Sequence, residues 1–412
     1  MKNFSELKNF RKDIPGIFNE TYILESQLDR FNIAINSREI IPPYEILIHP
    51  SGVCNLKCQW CIGGNIPTNL KNVNNNLKYL PSELTNPDKM KKLIRNILSY
   101  EKIIKIKKNG KKISKKFKVE RVQFSGIVGE PLIAKESIIK AMRMLTEAGI
   151  KVGIFTNGAL IDDDVIKELV KISYINISFD SGTPESYAEM KYGGRKEGGR
   201  IFLKVLDNIR KLVAVRNSCE ESELKINASY VLYPDNYNDI YKAAKILKEI
   251  GINTLRMKQD NSGKHLLSQK QIKEANVLIS KIEELKDDNF DFVKIHILNN
   301  PSEMRRTHDK CIVTDLMAAI GCDGGVYPCN YHPRVGGLTY GDAIKSDFRS
   351  IWEGEKRAKI KKMLPSGCPA VCDPFKNRAN RLFNEIYDYQ KIMGKRKTET
   401  LISNLVNSIK NK

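Results

Sequence analysis

Nothing in the 412-residue chain approaches the run of about 18 apolar residues that a membrane-crossing helix requires. The opening "MKNFSELKNFRKDIPGIFNE" also lacks the apolar core of a signal peptide. These two absences predict a cytoplasmic protein with no membrane partner. Histidine is scarce: the five present, at 49, 265, 296, 308 and 332, fall into no triad or zinc pattern. Acidic residues are short as well, 48 against 69 Lys and Arg, for a formal charge of +21. That excess favours acidic partners such as nucleic acid, nucleotide-like molecules or acidic peptides. The alternative is a Lys-, Asn- and Ile-rich composition spread evenly over the chain. At 41% hydrophobic and 28% charged, the sequence reads as globular, with one large domain and a smaller one.

Nine cysteines are present, an odd number grouped as three early, one at 219 and five late. That grouping argues against a disulfide framework and for metal or redox chemistry. The early group, "CNLKCQWC" (54–61), spaces Cys54, Cys58 and Cys61 as C-x3-C-x2-C. Structural zinc takes four protein ligands, commonly with C-x2-C pairs. Three thiolates on one tight loop suit three corners of a cubane iron–sulfur cluster, leaving the fourth iron for a small molecule.

Six apolar runs read as strands: 45–50, 119–126, 151–158, 174–180, 224–233 and 254–260. Between them lie helical patterns, such as Ile201, Val205, Leu206, Ile209, Leu212 and Val213. Ser268 and Gln271 read as a capping box. The alternation predicts an α/β fold with a parallel sheet, and six units are too few for a closed eight-stranded barrel. The expectation is a partial (β/α)6 TIM-like barrel over 44–300, preceded by a helical segment (1–43). A Cys-rich extension (301–375) and C-terminal helices (376–412) follow. Residues 102–118 carry nine lysines around Asn109-Gly110 and read as an inserted two-stranded ribbon. The ribbon is either a basic arm or a solvated hairpin. Arg256, Lys258 and Asp260 end the sixth strand, the end that carries active sites in such folds. They are candidate substrate contacts, or a solvated strand end.

The cysteine triplet just after a first strand resembles the signature of the radical S-adenosylmethionine (SAM) enzymes. Trp60 fills the aromatic position before the third cysteine. "VGEP" (128–131) resembles the family's Gly-Gly-Glu-Pro motif, with Val128 in place of the first glycine. "TNG" (156–158) and "SFDSG" (178–182) resemble segments that end the third and fourth strands. The resemblance implies a four-iron cluster on Cys54, Cys58 and Cys61 that binds SAM and cleaves it reductively to a 5′-deoxyadenosyl radical. A reductant such as flavodoxin or ferredoxin would supply the electron. Gly129 and Glu130 would hold the methionyl amino group, and Trp60 would lie against adenine. Ser178, Thr156 and Asn157 would contact ribose or carboxylate, or make ordinary strand-end hydrogen bonds.

Residues 311–372 resemble the C-terminal extension of that family, SPASM in its longer form and twitch in its shorter one. A single auxiliary four-iron cluster is implied on Cys311, Cys329, Cys368 and Cys372. Cys322 is left over, as a replacement ligand, a hydrogen-atom donor or a small buried residue. The implied reaction is hydrogen abstraction from a peptide or protein, leading to oxidation, crosslinking or epimerisation. The alternative substrate is a small alcohol or a nucleotide-linked sugar, dehydrogenated or epimerised. A more distant alternative is a zinc-dependent nucleic-acid-binding protein that uses the lysine ribbon.

Overall fold

A computed structural model describes residues 20–37, 39–58, 60–61, 82–108, 111–126, 129–260, 265–294, 306, 308–332, 338–368 and 372–410. Val128, the Asn109-Gly110 turn and His296 lie outside them. Its strands are β1 (Glu45–Ile48), β2 (Lys102–Lys108), β3 (Lys111–Phe117), β4 (Arg121–Phe124), β5 (Lys151–Thr156) and β6 (Tyr174–Ser178). They continue as β7 (Lys225–Leu232), β8 (Thr254–Gln259), β9 (Asp291–Lys294), β10 (Met317–Ile320), β11 (Gly325–Tyr327) and β12 (Gly341–Asp342).

Period-two alternation gives the main sheet two unlike faces. Ile46, Ile48, Val122, Phe124, Val152, Ile154, Ile175, Ile177, Ile226, Ala228, Leu255, Met257 and Phe292 pack in the principal core with the helices. Their strand neighbours on the opposite face are Glu45, Arg121, Gln123, Tyr174, Asn176, Asn227, Ser229, Arg256 and Lys258. In register, Glu45 lies beside Arg121, Asn176 beside Asn227, and Ser229 beside Arg256. The polar face is concave. Lys258 Nζ on β8 lies 5.8 Å from the Phe155 ring on β5. Two strands intervene, which on a flat sheet would hold them about 14 Å apart.

All six expected strands are present, but the parallel run is longer than six. In order it is β10-β1-β4-β5-β6-β7-β8-β9, with β11 and β12 added antiparallel beyond β10. The seventh unit was missed because "DFVK" (291–294) is too short and too charged to show alternation. The other addition, "MAAI" (317–320), pairs with β1 from across the sequence, where no local pattern reports it.

The lysine ribbon is a separate two-stranded sheet of β2 and β3. Ile104, Ile106 and Phe117 pack on Ile33 and Ile41, while Lys115 pairs with Asp29 at 2.5 Å and Lys116 with Glu101 at 2.7 Å. The capping box opens the helix Gln269–Glu283. The two ends of the chain share a second core. Ile23, Leu24 and Phe31 meet Phe383, Ile386 and Ile402, with the Phe31 and Phe383 rings 4.8 Å apart. No helix among the described residues is long and apolar enough to cross a membrane.

Candidate active site

The three-cysteine loop leaves the end of β1 and is held from two sides. His49 N–H donates to the Ile320 carbonyl of β10 at 2.8 Å, and its ring Nδ1 lies 3.1 Å from the Ser125 carbonyl. On the other side runs the segment after β4. A Cβ on Gly129 would fall 2.4 Å from the Ser51 carbonyl and 2.6 Å from that of Val53, so only glycine allows this approach. Glu130 N–H then donates to Val53 O at 2.8 Å.

The Glu130 carboxylate is fully enclosed and used three times. Its Oε1 accepts from Leu132 N–H at 3.1 Å and from the Thr156 hydroxyl at 2.5 Å, and its Oε2 accepts from Asn157 N–H at 2.9 Å. Burial pushes this carboxyl above the usual range, and those donors oppose the rise. The Asn157 side chain donates to Asn55 Oδ1 at 2.8 Å and lies 3.9 Å from Cys54 Sγ. Gly129, Glu130, Thr156 and Asn157 thus gather beside the cysteine loop, at the C-terminal ends of β4 and β5.

Trp60 packs against Tyr233 beyond β7, with ring centroids 4.5 Å apart and planes tilted by 40°, in a small cluster with Met190. Ser178 ends β6, and its carbonyl accepts from the ammonium of Lys191. Lys191, 1% exposed, forms an ion pair with Asp180 at 2.9 Å, and its own carbonyl receives Lys57 N–H from the cysteine loop. Asp180 holds a left-handed backbone (φ 58°), while its carboxylate accepts from Val231 N–H. Lys191 and Asp180 are site residues that the sequence reading did not single out. Their only local signal is an Asp in "SFDSG" and a Lys in "AEMKYGG", on opposite sides of a helix start.

Cys311, Cys329, Cys368 and Cys372 line one enclosed chamber with His308, His332 and Lys376. Asn380 donates to Cys311 Sγ at 3.4 Å, and His332 Nε2 lies 3.7 Å from Cys368 Sγ. Cys322 does not line that chamber. It occupies the β10–β11 turn with no exposure, its carbonyl accepting from Leu84 N–H.

Deeper in the concavity, Arg121 pairs with Glu45 at 3.4 Å and lies over the Tyr174 ring, whose hydroxyl donates to Gln123 at 2.6 Å. Gly153 makes room for that ring, since a Cβ there would sit 2.1 Å from it. Above lie Arg256 and Lys258, both within the field of Asp373, which follows Cys372. Asp260, also buried, accepts from His265 N–H at 3.1 Å and acts through space on Tyr233.

Residues 48–220 match the radical SAM superfamily, and residues 311–374 match the SPASM iron–sulfur cluster-binding domain. The chain carries a radical SAM domain followed by a SPASM domain. An uncharacterised protein of Methanocaldococcus jannaschii is 34% identical over 84 residues, 20% of this chain and 27% of that one. Matches to curated relatives span less than half of those proteins' lengths. Among solved structures, Streptococcus suis SuiB bound to precursor peptide SuiA superposes with a TM-score of 0.52 at 17% identity, over 82% of this chain and 70% of that one. Native anSMEcpe with bound AdoMet gives 0.51 at 18% identity, over 89% of this chain and all of the other. These likenesses establish the partial barrel.

The residues of the two domains suit the groups that those domains imply. Burial pushes the Cys58 thiol up to about 12, and the Lys191 ammonium draws it back. A thiol so placed ionises readily once a metal supplies positive charge. In the SPASM domain, burial and then the neighbouring thiols push Cys368 up to about 12 and Cys311 to about 11. Four crowded thiols without a cation repel one another as thiolates, and an iron–sulfur cluster removes that conflict. Among the described residues no three such side chains are set to clasp a single metal ion. The thiols line a chamber instead.

Proposed function

We propose that this enzyme binds SAM at the cluster loop and abstracts a hydrogen atom from a peptide or protein side chain or α-carbon. The carrying observation is the polar inner face of the sheet, where Asn176, Asn227, Ser229, Arg256 and Lys258 stand in register on neighbouring strands and Asp373 beside Cys372 acts on the two cations. The likeness in fold to SuiB bound to a precursor peptide, and to anSMEcpe with AdoMet and a peptide, supports that substrate class. Bound SAM and its cluster supply the radical chemistry.

The chain's own residues hold and enclose the site. Cys54, Cys58 and Cys61 would carry the SAM-binding cluster, and Cys311, Cys329, Cys368 and Cys372 the auxiliary one. Glu130 fixes the turns after β4 and β5 against the loop and keeps one carboxylate lone pair on Oε2 for the methionyl amino group. Gly129 brings its backbone within reach of the same group. Trp60, backed by Tyr233, presents a flat wall for adenine, and Asn157, Thr156 and Ser178 border it.

The test is an anaerobic incubation of the reconstituted, reduced enzyme with SAM and pools of synthetic peptides. Peptide-dependent formation of 5′-deoxyadenosine, with peptide that has lost hydrogen or gained solvent deuterium, is the expected result. Stimulation by small alcohols or nucleotide sugars, and by no peptide, would replace the proposal with the small-molecule reading.

A further inference from the structure

Direct ion pairs neutralise two basic residues of the concavity. Arg121 has Glu45 at 3.4 Å, and Lys191 has Asp180 at 2.9 Å. Arg256 is opposed by Asp373. Lys258 has no ion pair or hydrogen bond among the described residues. Its recorded contact is with the Phe155 ring, 5.8 Å from Nζ to the centroid. Asp373 and Asp180 act on it through space.

Lys258 is half-buried, and an ammonium drawn partly from water without a partner is costly, because desolvation is not repaid. Packing does not require the charge, since the stem of a methionine would fill the same volume. The position is also specific. Lys258 is in register with Val231, which packs against the cluster of Trp60, Met190 and Tyr233. Arg256 lies one pleat deeper, beside Ser229. A group held between the two cations would therefore anchor a molecule below the cluster loop and leave its remainder directed at the mouth.

We infer that Lys258 and Arg256 form an anion subsite in the barrel that receives a carboxylate of the substrate. This rests on the peptide reading above, which allows two sources: an acidic side chain or the chain's C-terminal carboxylate. Burial, and then Arg256, pull the Lys258 ammonium down to about 8, with Asp373 and Asp180 holding it up. It is mostly charged at neutral pH, as an anion site requires.

The experiment measures binding, without turnover, to the full-length, cluster-reconstituted, SAM-loaded enzyme. Calorimetry compares N-acetylglutamate with its α-carboxyl amidated, which mimics a side chain, against N-acetylalanine, which mimics a chain terminus. The neutral amide of each serves as its control. One carboxylate should bind better than its amide. Lys258→Met should weaken it by about tenfold, the equivalent of about 1.4 kcal/mol, and Lys258→Arg, which keeps the charge, should restore it. Whichever probe binds identifies the source. Lys258→Met should also raise the melting temperature, because it removes an uncompensated charge, whereas a lysine that braced the fold would leave a less stable variant. Equal binding of acid and amide, unchanged affinity in Lys258→Met, or a lowered melting temperature would each overturn the subsite. Because no turnover is read, failure of the peptide reading shows separately, as absent peptide-dependent 5′-deoxyadenosine.

Discussion

The Thr156 hydroxyl donates to Glu130 Oε1 at 2.5 Å, tying the end of β5 to the turn that follows β4. The same carboxylate takes the N–H groups of Asn157 and Leu132, so three donors from two loops converge on one buried anion. Whatever Glu130 does for SAM, it first fixes the shape of the rim.

Glu130→Gln keeps the size and removes the charge. One of the three donors then meets an amide NH2 in place of an acceptor, which costs on the order of 1–3 kcal/mol for a buried polar group left unpaired. Equilibrium urea unfolding should show that loss, and SAM affinity should fall with it. Glu130→Gln with wild-type stability would mean that the carboxylate does not hold the rim together.

Lys191 and Asp180 make the second buried anchor. Lys191→Met leaves the Asp180 carboxylate enclosed without its cation and is expected to cost about 3–5 kcal/mol. Pairing it with Asp180→Asn should recover most of that loss, because no lone charge remains. A double-mutant cycle with no coupling between the two positions would show that solvent already screens the pair.

These anchors also mark where the sequence stopped being informative. The cysteine triplet, Gly129-Glu130-Pro131 and the strand ends at Thr156 and Ser178 are local patterns with fixed spacing, and a single chain displays them. Arg256, Lys258 and Asp260 could be picked out because they stand at the C-terminal end of a strand in a parallel fold. Lys191 could not, because its importance comes from Asp180 and from a cysteine loop far away in sequence. The β9 strand was hidden by its length, and the β1–β10 pairing by the long stretch of chain lying between them. For Cys322 the residue was legible but its surroundings were not: only the fold shows a thiol with no exposure.

Metal content separates the two thiol sets. Anaerobically purified protein should hold about eight irons with matching sulfide, as two four-iron clusters require. Replacing Cys54, Cys58 and Cys61 together by alanine should lower this to about four, and so should replacing Cys311, Cys329, Cys368 and Cys372. Gly129→Ala presses a methyl into the Ser51 and Val53 carbonyls, so it should lower iron at the SAM site and leave the auxiliary complement alone. Cys322→Ala should retain full iron. A loss of iron there would return Cys322 to the ligand set, and zinc without sulfide in the parent protein would overturn the cluster assignment entirely.

The pH dependence of Lys258 follows from its surroundings. Its ammonium titrates near 8 in the folded protein against 10.5 for an unperturbed lysine. Between those values the unfolded chain binds the extra proton and the folded one does not, so the lysine's contribution to stability rises with pH across that window. Wild-type stability should therefore climb relative to Lys258→Met from about pH 8 to about pH 10, the interval between the two titrations. Carboxylate binding should move oppositely, weakening above pH 8 as the subsite loses its charge. Arg256, Asp373 and Asp180 act on the same ammonium. Denaturant midpoints of the two proteins at four or five pH values would show the divergence. Parallel curves would place Lys258 in solvent rather than in the concavity.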